Sequence, residues 1–209
     1  MKKQTSFPIN DIQRNTKVYN EYEFIGMEDG WYPKNKQQNY RLMLKLPELT
    51  GIPLKGTSVL DVGSGKGDFA PILKSHGVYS YLGIDINPVI LDIARQRHPD
   101  EVFLFADLLK DDVGDRFDYV FCSGALTLLL TGMDNYDFFK QMVKRMWDLS
   151  RIGVVINVLT DEKDAINTDL FFYNPEKVYT ICSEIVGDNH ILIEPTPGVQ
   201  QIHIYLWRE

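Results

Sequence analysis

The stretch Val59-Leu60-Asp61-Val62-Gly63-Ser64-Gly65-Lys66-Gly67-Asp68 constrains the fold more than any other part of the chain. A short apolar run leads into three glycines at alternate positions, and a segment with helical spacing follows. The run reads as a strand, the glycines as a tight turn that uses positive φ, and the sequel as a helix. Strand, glycine turn and helix in that order open a unit built on parallel strands, and the missing Cβ atoms let a ligand lie against the backbone. Glycine-rich turns also arise for conformational reasons alone. The rest of the chain decides between the two.

Strand-like and helix-like segments alternate after residue 51: Ser58–Val62 and Asp68–Ser75, Tyr81–Ile84 and Pro88–Arg97, Val102–Phe105 with a short connection, Phe117–Cys122 and Asn135–Leu149, then Gly153–Val158 and Glu176–Ile185. This alternation predicts parallel strands joined by right-handed crossovers. Asn87 before Pro88, Asn174 before Pro175, and Asp134 supply N-caps, and Phe139, Met142, Val143 and Met146 repeat at helical spacing. The last two strands, His190–Glu194 and Gln201–Trp207, flank Pro195-Thr196-Pro197-Gly198. So short a turn forces antiparallel pairing. The expected fold class is therefore α/β: a doubly wound, Rossmann-like sheet of about seven strands, mostly parallel with an antiparallel C-terminal hairpin strand. Upstream, residues 1–33 read as an arm, and Tyr40, Met43, Leu44 and Leu46 predict a helix over 34–49 that Gly51 and Pro53 stop. We expect one domain over 1–209, with 1–50 as arm, helix and potential lid on an α/β core of 51–209.

Two further carboxylates weigh toward a ligand site. Asp85 closes the second strand, where an acidic side chain accepts hydrogen bonds from ribose hydroxyls, and Asp107 closes the third. With Asp61 they fall at one edge of the sheet, where open α/β folds bind ligands. Over residues 34–209 the order of elements, and over 59–126 the motifs, resemble the class I S-adenosylmethionine-dependent methyltransferases. Asp61, Gly63, Gly65 and Gly67 match that family's acidic-x-Gly-x-Gly-x-Gly signature. The resemblance implies S-adenosylmethionine as cofactor and S-adenosylhomocysteine as product. It puts the glycine turn against the methionine part, Asp85 on the ribose and Asp107 at the adenine amino group, with Ser64, Ile86, Leu108 and Ser123 completing the cofactor-facing set. Some relatives hold the cofactor's carboxylate with an Arg on the helix before the first strand. Gln38 and Arg41 share a helix face there, and a solvated role is the alternative.

The competing reading from another class is an NAD- or FAD-dependent oxidoreductase, or a fold kept only for nucleotide binding. A dinucleotide fingerprint places glycine where this chain has Asp68, and a pyrophosphate would be repelled by Asp61 and Asp68. A sulfonium and an ammonium tolerate nearby acids. The formal charge of -7 opposes nucleic-acid backbones, and no basic patch offsets it. A small-molecule acceptor is therefore expected ahead of a protein or RNA acceptor. The sequence leaves the oligomeric state open. No apolar run reaches the length of a bilayer span, no leader pattern stands at the start, and the two cysteines, Cys122 and Cys182, have neither metal nor redox spacing. A cytoplasmic chain without membrane or metal is expected.

No residue announces itself as a catalytic base, and methyl transfer from a sulfonium needs alignment more than a base. For the acceptor side the candidates are Trp31 and Tyr32 in the arm, Asn157 at the end of the fifth strand, and Tyr173 before a capped helix. Each has a plain alternative: aromatic core for Trp31, Tyr32 and Tyr173, and a satisfied loop for Asn157. The loop Cys122-Ser123-Gly124-Ala125-Leu126 lacks the Asn/Asp-Pro-Pro-Tyr pattern of the amide- and exocyclic-amine-methylating branches. Cys122 reads as a buried small hydrophobe, and His76, His98, His190 and His203 read as structural.

Overall fold

The computed structural model describes Lys17 and residues 33–160 and 169–209; Trp31 and Tyr32 lie outside the described residues. Seven strands form one sheet: β1 Ser58–Val62, β2 Ser80–Asp85, β3 Val102–Phe105, β4 Phe117–Ser123, β5 Ser150–Leu159, β6 His190–Pro195 and β7 Gln201–Trp207. Their order is β3-β2-β1-β4-β5-β7-β6. All the pairings from β3 to β5 are parallel, while β7 runs antiparallel between β5 and β6. From β1 the chain winds outward to β2 and β3, then returns to β4 on the other side of β1. The crevice at the carboxyl ends of β1 and β4 is therefore the topological switch point, where ligands bind in such sheets.

Helices α1 Pro33–Met43, α2 Lys45–Thr50, α3 Ala70–Ser75, α4 Pro88–Arg97, α5 Asn135–Leu149 and α6 Pro175–Val186 cover the sheet. Side chains alternate between two cores. Val59, Tyr119, Phe121, Val155 and Tyr205 pack with Met43, Leu46, Leu73 and Leu91 on one face. Leu60, Val120, Cys122, Val154 and Ile204 pack with Phe139, Val143, Met146 and Cys182 on the other. Strands covered on both faces explain why β1 and β4 read as mostly apolar runs without strict alternation. The expected caps hold: Asn87, Asp134 and Asn174 each accept backbone N–H groups of the helix they start.

Two details differ from the sequence reading. The helix expected over 34–49 divides at Leu44, because Pro47 has no N–H for the Met43 carbonyl and a ladder cannot run through it. The helix expected from Asp68 begins at Ala70, since Gly67 N–H donates to Ser64 O at 2.9 Å and Ala70 N–H to Gly67 O at 3.0 Å, which keeps the glycine segment in turns. Among the described residues no helix is long and apolar enough to cross a membrane.

Candidate functional site

A cleft of about 970 Å³, its open mouth included, lies at the switch point. Its lining joins the glycine turn to the ends of four elements: Asp61 to Gly65, Asp85 and Ile86 after β2, Asp107 and Leu108 after β3, and Ser123 and Ala125 after β4. Lys36 and Tyr40 of α1 close one side, and Phe138 and Met142 of α5 the other.

The backbone makes the turn possible only with glycine. Gly63 has φ +72°, and a Cβ there would stand 2.4 Å from the Ala125 Cβ. Gly63 and Ser64 N–H groups both donate to Ile84 O, at 2.8 and 3.0 Å, pinning the turn to the end of β2. Asp85 fastens it from the other side. Its Oδ2 accepts the Gly65 N–H at 3.0 Å, and its Oδ1 accepts the Asn87 N–H at 2.8 Å, so the carboxylate is aimed before any ligand arrives. Asp107 is fixed in a similar way by the Leu109 N–H on its Oδ1, at 3.0 Å. The Ser64 hydroxyl is buried and has no hydrogen-bond partner among the described residues. A buried hydroxyl left unpaired in the wall of a cleft is open to a hydrogen bond from a ligand or a water.

Asp61 is 2% exposed, and burial pushes its carboxyl up to about 7; the Tyr81 hydroxyl, donating to Oδ2 at 2.8 Å, works the other way, and the charge of Asp85 adds to the rise. A carboxyl raised in the folded state leaves stability unaffected below about pH 4, where both states hold the proton, and lowers it as pH climbs to about 7, where the loss is complete. Asp61→Asn keeps an oxygen for Tyr81 and removes the titration. Its stability relative to the unmodified chain is expected to rise between about pH 4 and about pH 7 and then level off. Urea midpoints measured across that window check this, and parallel profiles for the two chains would refute it.

Beside the mouth, Asp68 is paired with Lys36 and with Arg97, the latter at 3.2 Å. Burial alone would raise the Asp68 carboxyl, but the Lys36 hydrogen bond and the charges of Lys36 and Arg97 hold it below its ordinary range. This cluster ties α1 and α4 to the glycine turn.

The structure brings Asp61, Gly63, Ser64, Gly65, Asp85, Ile86, Asp107, Leu108 and Ser123 to the one cleft. Other sequence candidates fall elsewhere. Gly67 has φ +78°, and a Cβ there would meet Phe103 Cζ at 2.6 Å and His98 Cδ2 at 2.9 Å, so its glycine serves the packing of the turn on β3. Gln38 donates to Pro197 O at 2.9 Å and Arg41 is exposed; neither lines the cleft, because the helical phase turns Lys36 and Tyr40 inward. Asn157 is buried and accepts the Gly124 N–H at 2.7 Å, the loop-satisfying alternative. Tyr173 is 1% exposed, donates to Leu126 O at 3.0 Å and packs on Phe139 and Phe171, the aromatic-core alternative. The sequence reading missed Lys36, Tyr40 and Phe138. The i, i+4 spacing of Lys36 with Tyr40, and of Phe138 with Met142, was the available signal.

Residues 59–146 match the family model of a methyltransferase domain. No curated protein matches the chain. Among solved structures, the magnesium protoporphyrin IX methyltransferase of Synechocystis with bound SAM superposes with a TM-score of 0.64 at 15% identity, over 98% of this chain and 87% of that one. An S-adenosylmethionine-dependent methyltransferase from Clostridium acetobutylicum gives 0.67 at 9% identity, over 94% and 98%. A putative methyltransferase in complex with the Haloferax volcanii Trm112 methyltransferase activator gives 0.65 at 15% identity, over 93% and 97%. At such identities these likenesses speak for the fold.

Proposed function

We propose that the chain is a class I methyltransferase, as the domain match over residues 59–146 and the sheet order support, and that its cleft binds S-adenosylmethionine and directs the methyl group onto a small-molecule acceptor. The observation that carries this reading is the convergence of the Gly63–Gly65 turn, Asp85 and Asp107 on one cleft that also holds the orphaned Ser64 hydroxyl.

The residues present fit the cofactor group by group. Asp85 is aimed to accept from a vicinal diol, a charge-assisted pair that a ribose supplies. Asp107 stands beyond it to accept from an exocyclic amine, with Ile86 and Leu108 as apolar walls for a base. Lys36, whose ammonium pairs with Asp68, is the cation that α1 brings to the cleft, in the place the sequence reading gave to Arg41. A dinucleotide fits less well: three carboxylates line the cleft, and the turn leads into a helix that starts only at Ala70, whereas pyrophosphates seek the N-terminus of a helix that opens at the glycine turn.

The cofactor, when bound, supplies a methyl group on a carbon already activated by sulfonium. The chain's own part is to hold that end of the cleft dry and to align the acceptor. Phe138, Met142 and Ala125 provide the apolar surface for that task. A net charge of -7 and the engagement of Lys36 and Arg97 with Asp68 leave little for a nucleic-acid backbone, which supports a small acceptor.

Calorimetric titration tests the reading. S-adenosylmethionine and S-adenosylhomocysteine are expected to bind, and NAD and FAD are not. Binding of a dinucleotide without S-adenosylhomocysteine would overturn it.

A further inference from the structure

A chain of buried amides runs from the edge of the cleft to β7. Asn157 Oδ1 accepts the Gly124 N–H at 2.7 Å, which leaves the Asn157 amide nitrogen to donate to Asn39 Oδ1 at 2.9 Å. With its oxygen so occupied, Asn39 presents its own nitrogen to Ser123 Oγ at 2.5 Å. His203 Nε2 lies 2.6 Å from the same Asn39 oxygen, and since that oxygen only accepts, Nε2 carries the proton and Nδ1 accepts from the Thr196 hydroxyl at 2.9 Å. His203 and Asn39 are each 1% exposed, and burial lowers the imidazole to about 4, neutral at ordinary pH. One backbone N–H thus sets the direction of every hydrogen bond in the chain.

The consequence falls on Ser123, which lines the cleft. Its oxygen already accepts from Asn39, and among the described residues its hydroxyl proton has no acceptor. Asn39 lies three residues from Lys36 on α1, so the two share a helix face, and the hydroxyl that Asn39 holds and Lys36 both line the cleft.

We propose that Asn39, held by His203 and Asn157, is a positioning residue that orients the Ser123 hydroxyl so that its proton is donated toward the carboxylate of an amino-acid-bearing nucleoside in the cleft. The inference rests on the cofactor reading above and deepens it. Asn39 touches no ligand itself; it spends the acceptor capacity of Ser123 that faces α1, so that the hydroxyl donates into the cleft.

The test compares S-adenosylhomocysteine with 5′-methylthioadenosine, which keeps the nucleoside and lacks the carboxylate, by calorimetry on the full chain. Ser123→Ala is expected to weaken S-adenosylhomocysteine about tenfold, the value of a hydrogen bond to a charged group, and to leave methylthioadenosine unchanged. Asn39→Asp is the sharper variant. A carboxylate still accepts from His203 and Asn157 but cannot donate, so Ser123 turns its proton back to position 39, and the same selective loss should appear. The substitution also adds a charge, and a double-mutant cycle separates the two effects: if the hydroxyl carries the loss, Asn39→Asp costs little more in the Ser123→Ala background. Equal losses for both ligands, no loss, or additive losses would each overturn the positioning role. Failure of the unmodified chain to bind either nucleoside would instead overturn the cofactor reading.

Discussion

Asp85→Ala is expected to weaken S-adenosylhomocysteine binding about a hundredfold while the chain stays folded. The side chain ends β2 at the mouth of the cleft, where each charge-assisted bond to a ribose hydroxyl is worth roughly 1.5–3 kcal/mol. Two such bonds give about 3 kcal/mol or more, and about 1.4 kcal/mol is a decade of affinity. Asp85 also receives the N–H groups of Gly65 and Asn87, so its removal loosens the turn that lies against the rest of the ligand. None of these bonds supports the sheet, so circular dichroism and the melting temperature should change little. Asp85→Asn retains a single acceptor oxygen and should fall between the two. An unchanged dissociation constant for a folded Asp85→Ala chain would place the ribose elsewhere.

Gly63→Ala is expected to damage both fold and site. An L residue at φ +72° costs about 1–2 kcal/mol, and a methyl 2.4 Å from the Ala125 Cβ adds an overpacking cost of about 1–3 kcal/mol. At about 2–4 °C per kcal/mol for a chain of this size, the melting temperature should drop by roughly 10 °C. Binding should be lost as well, because the clash drives the turn and the loop after β4 apart across the cleft they share. The two costs can be separated. Ala125→Gly in the same chain removes the methyl contact and leaves the backbone strain, so it should restore part of the lost melting temperature. A Gly63→Ala chain that melts and binds like the unmodified one would show that neither cost is real.

The glycine-turn side of the cleft was legible because its determinants are local. A positive-φ glycine beside a strand, an Asp at each strand end and an Asn-Pro helix start all act within a few residues, so Gly63, Gly65, Asp85, Asp107 and Asn87 could be placed by spacing alone. Gly67 shows the limit. Its glycine is required by Phe103 and His98, which approach from β3 and the end of α4, and the motif cannot distinguish that need from ligand contact.

The surroundings of β5 and α1 were not legible, because long-range packing decides them. Asn157 and Tyr173 are polar or amphipathic residues near the right edge of the sheet, and only tertiary contacts show that one serves the Gly124 N–H and the other the Leu126 carbonyl. The rotation of α1 was equally hidden. Gln38 and Arg41 share one face of it and Lys36 and Tyr40 another, and the face that meets the cleft is chosen by Tyr40 stacking on Phe69 at 4.5 Å and Asn39 bonding to Ser123.

Taken by itself, the sequence determined where the strands fall along the chain, the antiparallel end of the sheet and the glycine turn flanked by acids, since periodicity, capping and backbone freedom are properties of neighbours in the chain. Only the tertiary structure decided which side chains face the cleft, that Asp61 is a buried carboxyl raised to about 7, and that His203, Asn157 and Asn39 form one directed chain to Ser123. Those depend on burial and on contacts between residues as far apart as Asn39 and His203, which the spacing of neighbours does not encode.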